Sequence, residues 1–228
     1  ALALNLQKFT EILQNFTTNI MKELFTLGNL YVSDFLKEGE SHRGGSVEMK
    51  MMMDENGSVR LEQIAPLDTM YGKYWYRSGI NDTMKKELNG IVNSITDIVK
   101  LKENDLWVDI ACNDGTLLSY VPKNLLRVGI DPVDDSYKVE SEKHSNLIIQ
   151  DYFSYEVFNK SKFGNLKAKV ITTIAMFYDL EEPKKFVNDI VKVLDDNGVW
   201  VLQLSYTPLM LEQLAFDNIC HEHVYYYS

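Results

Sequence analysis

The stretch LWVDIACNDGTLL, residues 106–118, decides the fold that this sequence predicts. It opens with a short apolar run that is typical of a buried strand, and it then turns through Asn113, Asp114 and Gly115 into a segment that can start a helix. In an open parallel sheet such a turn lies at the carboxyl end of a strand, where ligands bind, and the amides at the helix start favour polar ligand groups. The stretch predicts a ligand-binding turn, with an ordinary strand–helix turn as the alternative.

Small residues occupy this turn. Asn113 and Gly115 tolerate a positive φ angle, and we expect that a larger side chain would block the close approach of a nucleotide-like ligand. Ala111 and Asn113 stand at the first two glycine places of a G-x-G motif, so the match to that motif is partial.

Strands and helices alternate after this turn. Apolar runs predict four further strands, at residues 126–130, 147–150, 170–175 and 199–204. A helix begins near Pro183 and stops before Gly198. Such alternation requires a parallel sheet that is covered on both faces, so the predicted fold class is α/β.

Acidic residues end two of these strands. Asp131 follows the second strand at a spacing that suits a carboxylate accepting hydrogen bonds from ribose hydroxyls. Asp151 follows the third strand, where a carboxylate can meet an adenine amino group and a neighbouring aromatic ring can flank the base. Both residues favour a nucleotide-like ligand at the carboxyl edge of the sheet.

The N-terminal part has a different pattern. Residues 2–24 carry apolar side chains at spacings of three and four, which predicts an amphipathic helix. Between residues 25 and 68 the helical spacing of apolar residues is absent, and the sequence shows short strand-like pieces instead. Asn56-Gly57 is a signal for a two-residue hairpin loop between two of them. We therefore predict a helix plus a small β-rich module over residues 1–68, and the main domain over residues 69–228.

An aromatic stretch, residues 70–82, precedes a second predicted helix. Asn81 or Asp82 can cap this helix, and apolar residues at helical spacing form its buried stripe. Aromatic clusters of this kind pack between domains more often than they line an active site.

The composition excludes several classes of protein. The formal net charge is −10 and no Lys/Arg stripe exists, which argues against nucleic acid as the partner.

Cys112 and Cys220 lie far apart, so neither a disulfide framework nor a cysteine zinc site is indicated, and we expect a reducing, cytoplasmic compartment. No apolar run approaches the roughly 20 residues that span a bilayer, and the first residues lack the charged region of a signal peptide.

Three adjacent polar residues, His221, Glu222 and His223, form the second unusual feature, and three tyrosines follow them closely. In an extended segment the two histidines would point the same way and Glu222 the other way. Histidine has an unperturbed pKa near neutrality, which favours acid–base chemistry. A metal site would need a third ligand that the sequence does not offer, and a chance cluster in a surface loop stays open.

With these motifs in view, the chain resembles the sugar C-methyltransferase family, S-adenosylmethionine-dependent enzymes of deoxysugar biosynthesis that methylate carbon 3 of nucleotide-linked 4-keto-6-deoxy sugars. The His-Glu-His segment is the piece specific to this family. The matching pieces extend from residue 27 to residue 228, about nine tenths of the chain: LGNLYVSDF (27–35), MYGKYWYRSGINDTM (70–84), DIACNDGTLL (109–118), GIDP (129–132), ITTIAMFYDLEEP (171–183), VLQLSYTPLML (201–211) and FDNICHEHVYYYS (216–228).

The resemblance implies a Rossmann-like class I methyltransferase sheet and assigns roles to residues of this chain. It places His223 as the base that removes the hydrogen next to the sugar ketone, with His221 and Glu222 orienting it or binding sugar hydroxyls. It places Tyr76 near the reacting carbon and the methyl donor. The S-adenosylmethionine contacts that it implies are Ala111, Asn113, Gly115, Asp131, Asp151 and Met176. Because the methyl group of Ala111 crowds a turn where glycine is common, we expect weaker cofactor binding.

The sequence departs from the family pattern in two places. The family's N-terminal module binds zinc through cysteines, including a C-x-x-C-G that falls on MDENG, residues 53–57, so we expect no zinc here. The chain also ends at Ser228, before the last helix and two strands of a seven-stranded sheet and before a C-terminal domain. We therefore expect a truncated sheet, with a C-terminal domain or a second chain completing the site.

Two alternatives to sugar C-methylation remain at this point. An O- or N-methyltransferase of a small metabolite would share the cofactor residues and differ at the His-Glu-His segment. A non-catalytic scaffold would keep only the sheet. The expected partner is a nucleotide-linked sugar or another small molecule, with no nucleic acid and no membrane.

Overall fold

A computed structural model describes residues 2–3, 21–33, 36–42, 45–71 and 75–228. Two sheets carry the fold. The strands are β1 (Leu2–Ala3), β2 (Lys22–Leu30), β3 (Val47–Met53), β4 (Val59–Leu61), β5 (Leu106–Ile110), β6 (Leu126–Ile130), β7 (Leu147–Ile149), β8 (Ala168–Ile174), β9 (Leu194–Gln203) and β10 (Tyr225–Tyr226).

The helices lie between these strands. They are α1 (Leu67–Tyr71), α2 (Asp82–Ile98), α3 (Thr116–Tyr120), α4 (Asp135–Glu142), α5 (Tyr155–Asn159), α6 (Pro183–Val193) and α7 (Thr207–Glu212). Single 3₁₀ turns occur at Ser78–Ile80, Phe177–Asp179 and Phe216–Asn218. Among the residues that the structure describes, no helix has both the length and the apolar character that a membrane crossing requires.

The large sheet has the strand order β1-β9-β8-β5-β6-β7, in which β5 to β9 run parallel and β1 pairs antiparallel with β9. All five residues of β5 are buried because helices cover both faces. Val108 and Ile110 pack in one apolar core with α6, whereas Trp107 packs in the other with α2. The predicted α/β sheet and its five parallel strands are confirmed.

The strand order reverses between β5 and β8. From β5 the chain runs outward to β6 and β7, and it then returns to the other side of β5 to form β8. Ligands of open parallel sheets bind at such a switch point, outside the carboxyl ends of the strands. Ala111 and Ala175, directly after β5 and β8, have φ angles of 60° and 53°. Positive φ angles are rare in alanine and often occur at functional sites.

A second, antiparallel sheet has the order β10-β4-β3-β2 and confirms the predicted β-rich module. Its β3–β4 hairpin encloses Asn56-Gly57 as predicted, but Met53 pairs with Val59, so five residues rather than two form the loop. The reason is Asp54, whose side-chain oxygen accepts hydrogen bonds from the backbone N–H groups of Asn56 and Ser58.

The predicted N-terminal helix is wrong at both ends. Residues 2 and 3 form β1, and residues 22–24 belong to β2, because pairing with β9 and β3 satisfies the backbone there in place of helical hydrogen bonds. The apolar residues on which the helix prediction depended, at positions 6–20, lie outside the described residues. By contrast, the helix predicted after Asn81 is confirmed as α2, and the Asn81 side chain accepts hydrogen bonds from the N–H groups of Thr83 and Met84.

Gly115 has a φ angle of 76°, a left-handed conformation of the kind that glycine was expected to tolerate. The structure adds a physical reason for a small residue that the sequence did not indicate. A Cβ atom at this position would lie 2.6 Å from Cα of Ser141, which belongs to α4. The glycine therefore allows the turn to pack against a helix of the protein, and the expected contact with a ligand stays a prediction.

We expect Gly115→Ala to destabilise the protein more than Gly57→Ala does. Both glycines have positive φ angles, but a Cβ atom at Gly57 meets nothing within 4 Å. The left-handed conformation costs alanine roughly 1–2 kcal/mol at each site. The collision with Ser141 adds about 1–3 kcal/mol at Gly115. Urea unfolding of both variants measures the difference, and equal losses of stability would contradict this explanation.

Candidate active site

The turn after β5, residues 111–115, is fixed to the end of β6 by backbone hydrogen bonds. The Ala111 N–H donates to the carbonyl oxygen of Ile130 at 2.8 Å. The Asn113 N–H donates to Asp131 Oδ2 at 2.7 Å, and the Val133 N–H donates to Asp131 Oδ1 at 3.1 Å. We call residues 111–115 the β5 turn.

Asp131 is buried beneath this turn, with 7% of its surface exposed. Desolvation raises the pKa of its carboxyl, and the two backbone N–H donors oppose that shift. Each carboxylate oxygen accepts one N–H and therefore keeps a lone pair for another donor. Asp131 can thus accept hydroxyl hydrogen bonds in addition to holding the turn.

The other two predicted cofactor residues lie at the same edge of the sheet, since the strands are parallel. Asp151 follows β7 and is exposed, and its Oδ1 accepts a hydrogen bond from the Tyr152 N–H. Met176 follows β8, is half-buried and packs against the core next to α6. The predicted cofactor residues therefore end β5, β6, β7 and β8 in turn.

Tyr76 lies beside the β5 turn. The Asn113 side-chain amide donates to the carbonyl oxygen of Tyr76 at 3.0 Å. The Tyr76 phenol is half-buried, and burial together with the nearby Asp114 raises its pKa. The Tyr76 carbonyl is hydrogen-bonded to the β5 turn, whereas His223 contacts Asn218 and Tyr178.

His221 connects the His-Glu-His segment to the small sheet. Its Nε2 donates to the carbonyl oxygen of Val47, in β3, at 3.2 Å, and the residue is 3% exposed. Its Nδ1 is buried without a hydrogen-bond partner among the described residues. Burial lowers the pKa of His221, so the ring is neutral at pH 7. Its environment suits a residue that anchors the segment.

His223 is half-buried in a different environment. Its Nδ1 lies 2.8 Å from the carbonyl oxygen of Asn218, and its ring meets the edge of Tyr178 at a centroid distance of 4.4 Å. Because a carbonyl can only accept, Nδ1 must carry the proton, which leaves the lone pair of the neutral ring on Nε2. Burial lowers the pKa of His223, against smaller opposing effects of Asn218 and Glu222.

The expected alternation of side chains along this segment is not observed. His221 and Glu222 form a turn, and only Tyr225–Tyr226 form a strand, β10. This strand pairs with β4, and the Ser33 hydroxyl donates to Glu222. Pairing to the small sheet therefore sets the orientation of the segment.

Sequence reasoning missed Asp179, in the 3₁₀ turn after β8. Its Oδ2 accepts from the Tyr71 hydroxyl at 3.5 Å, and its Oδ1 is buried without a partner in the part of the chain that the structure describes. Burial, with the nearby Glu222, raises the pKa of Asp179 well above its ordinary value. The sequence contained a signal for Asp179, because this acid follows strand β8 in the same way as Asp131 follows β6 and Asp151 follows β7.

The arrangement of potential metal ligands and the burial of the two cysteines bear on metal binding and on thiol reactivity. Within the described residues, no group of three or more His, Cys, Asp or Glu side chains is arranged to hold a metal ion. Cys112 is a buried free thiol and Cys220 a half-buried one. Burial raises the pKa of both thiols, so both are protonated at pH 7.

No family model matches the chain. The sequence is 22% identical over 171 residues to the C-methyltransferase NovU of Streptomyces niveus, an alignment that covers 75% of this chain and 40% of that protein. The chain thus matches well under half the length of this curated relative.

One solved structure, with a TM-score of 0.50, supports the fold. The plantazolicin methyltransferase BamL, crystallised with a triazolic desmethylPZN analog and SAH, superposes with a TM-score of 0.50 at 14% identity over 65% of this chain and 60% of its own. A putative methyltransferase from Bacillus halodurans gives a TM-score of 0.46 at 13% identity over 61% of this chain and 64% of its own. The large sheet has the fold of a Rossmann-like class I methyltransferase. The antiparallel module is separate from it.

Asp109, in β5 below the turn, is a buried carboxyl that also affects stability. Desolvation raises its pKa to about 7, although the Thr172 hydroxyl donates to it at 2.6 Å and opposes the shift. The folded state therefore holds this proton more tightly than the unfolded state, whose carboxyl has the ordinary pKa of 3.8. The resulting stabilisation is complete below that ordinary value and is lost as the pH rises through about 7.

We expect Asp109→Asn to reduce the fall in unfolding free energy between pH 5 and pH 8, because asparagine resembles the protonated acid at every pH. Urea unfolding at several pH values measures this slope. Asp97→Asn, at an exposed position of α2, is the control and should leave the slope unchanged. Parallel pH profiles for the wild type and Asp109→Asn would show that Asp109 is not the source.

Proposed function

We propose that this protein is an S-adenosylmethionine-dependent methyltransferase that methylates carbon 3 of a nucleotide-linked 4-keto-6-deoxy sugar through an enolate. The observation that carries the proposal is the environment of His223. A protonated Nδ1 held by the Asn218 carbonyl and a lowered pKa leave a neutral ring whose Nε2 can accept a proton at pH 7. The similarity to the C-methyltransferase NovU supports a carbon as the methyl acceptor.

In this mechanism His223 Nε2 removes the proton next to the ketone, and the electrons of that C–H bond form the enolate. Glu222 raises the pKa of His223 and therefore stabilises the imidazolium that forms. The enolate carbon would bond to the methyl group as the S–CH3 bond of the sulfonium breaks and a neutral thioether leaves. The ketone is restored, and His223 releases its proton to solvent. The Asn218 carbonyl fixes the ring orientation throughout, because Nδ1 donates to it in both charge states.

The carboxyl edge of the sheet suits the proposed donor. Asp131 keeps a lone pair on each oxygen for ribose hydroxyls, and the exposed Asp151 offers a carboxylate to an adenine amino group. Ala111 and Gly115 follow β5 and Met176 follows β8, so they would line the donor site on the other side of Asp131 from Asp151. Tyr76 would lie on the side of the reacting carbon. When bound, S-adenosylmethionine supplies an electrophilic methyl group.

We assign the sugar to a groove between α6 and the stretch 225–227, which follows His223 closely in the chain. The groove has a volume of about 580 Å³. The Tyr225 and Tyr227 rings stack at a centroid distance of 5.9 Å and contribute an aromatic wall. Glu181 and Asn188 on the opposite side provide hydrogen-bonding groups of the kind that sugar hydroxyls need.

We expect His223→Gln to lower methyl transfer at least a hundredfold, since general-base catalysis contributes about 10²–10⁴. Its amide can still donate to the Asn218 carbonyl, so the segment should keep its position. Affinity for S-adenosylmethionine, measured by calorimetric titration, should stay within a few fold of the wild type. His144→Gln, in the loop after α4, is the matched control and should keep normal turnover.

Hydrogen exchange at the sugar separates the reaction classes. The wild type should exchange the hydrogen at carbon 3 with deuterated water, as followed by NMR, and His223→Gln should not. In the wild type the rate should fall toward acidic pH with an inflection below 6.5, the ordinary pKa of histidine. An O- or N-methyltransferase would show no exchange, and near-normal turnover of His223→Gln would rule out its role as the base.

A further inference from the structure

The side chain of Asn113 forms two hydrogen bonds with a segment far from it in sequence. Its Oδ1 accepts a hydrogen bond from the Ser78 N–H at 3.1 Å, and its Nδ2 donates to the Tyr76 carbonyl oxygen at 3.0 Å. The side-chain amide thus pairs with one acceptor and one donor of residues 75–80. Meanwhile the backbone N–H of Asn113 points to Asp131.

Only asparagine combines the properties that this position uses. Its φ angle of 51° favours glycine, asparagine or aspartate. Glycine offers no side-chain partner for the segment. Aspartate offers two acceptors, and one of them would face the Tyr76 carbonyl oxygen. The amide of asparagine alone presents the donor and the acceptor in the required order.

Further contacts hold the same segment in place. The Gly79 N–H donates to Asp114 Oδ2 at 2.8 Å, and a Cβ atom at Gly79 would lie only 2.9 Å from Oγ1 of Thr116. Arg77 donates to the Ser136 hydroxyl at 2.6 Å, and its guanidinium lies 3.8 Å from the centroid of the Tyr137 ring. The segment is therefore packed closely on the β5 turn and on α4.

We propose that Asn113 is a positioning residue whose side-chain amide holds residues 75–80, and with them Tyr76, against the β5 turn. The consequence for catalysis rests on the proposed function, which puts Tyr76 beside the reacting carbon. Asn113 then acts through Tyr76, and its side chain has no need to touch the donor. A mispositioned Tyr76 would slow methyl transfer, because alignment of reacting groups is the main contribution to such a step.

Two variants test the role of the amide. Asn113→Gly keeps the positive φ angle and removes both side-chain hydrogen bonds, whereas Asn113→Asp keeps the size and replaces the donor by an acceptor. Asn104→Gly is the matched control, since Asn104 also has a positive φ angle, 65°, and lies in the turn before β5, at the opposite edge of the sheet.

Two measurements report on the segment without methyl transfer. Trypsin cleaves after Arg77 when the segment opens, and Trp75, 50% exposed, responds to acrylamide quenching, whereas Trp107 and Trp200 are buried. One neutral hydrogen bond changes an equilibrium by roughly 2- to 12-fold. We therefore expect cleavage after Arg77 to become about tenfold faster in both Asn113 variants, with stronger quenching, and to stay unchanged in Asn104→Gly.

Catalysis and donor binding complete the test. In Asn113→Gly, kcat should fall on the order of tenfold while the affinity for S-adenosylmethionine changes by less than about threefold. Wild-type cleavage and quenching in both Asn113 variants would overturn the proposal, as would loss of donor affinity with the segment undisturbed. If the wild type neither binds the donor nor transfers a methyl group, the proposed function fails, and the cleavage and quenching data still decide the role of Asn113.

Discussion

The hydrogen bond from the Asn113 N–H to the Asp131 carboxylate, at 2.7 Å, is the contact on which the arrangement at the sheet edge depends. A buried carboxylate is costly unless donors satisfy it, and Asp131 obtains both donors from backbone N–H groups that its own position brings into reach. The chain bends sharply in this turn, where Asn113 has a positive φ angle. The same bend brings Gly115 against Ser141, and it leaves the Asn113 side chain facing the segment that carries Tyr76. One turn thus connects three parts of the chain.

The second cluster depends on the small sheet. His221 donates to a backbone carbonyl of β3, and β10 pairs with β4, so the His-Glu-His segment is held by the N-terminal module although it follows the large sheet in sequence. The large sheet contributes Tyr178, whose ring meets His223. The orientation of the proposed base is therefore set jointly by both sheets. The catalytic role that we propose for His223 gives the module a function that requires no metal.

Carboxyl groups accumulate at the carboxyl edge of the large sheet. Asp109, Asp131 and Asp179 are all largely removed from water, and desolvation raises the pKa of each. Buried acids of this kind cost stability as the pH rises, because the folded state must then bury a charge that the unfolded state exposes to water.

The sequence by itself determined the parallel sheet, because apolar strand periods, helix caps such as Asn81 and a proline at the start of α6 are local signals. It also placed acids and small residues at the strand ends, since parallel strands share one edge. The helix prediction failed for residues 2–3 and 22–24, which form strands because they pair with distant strands. Only the tertiary structure decided that Ser141 explains Gly115, that the Asn113 amide holds residues 75–80, and that Asp179 lies near Glu222. These contacts join residues that lie between 26 and 43 positions apart in the sequence. Local sequence patterns do not identify which distant segments come into contact when the chain folds.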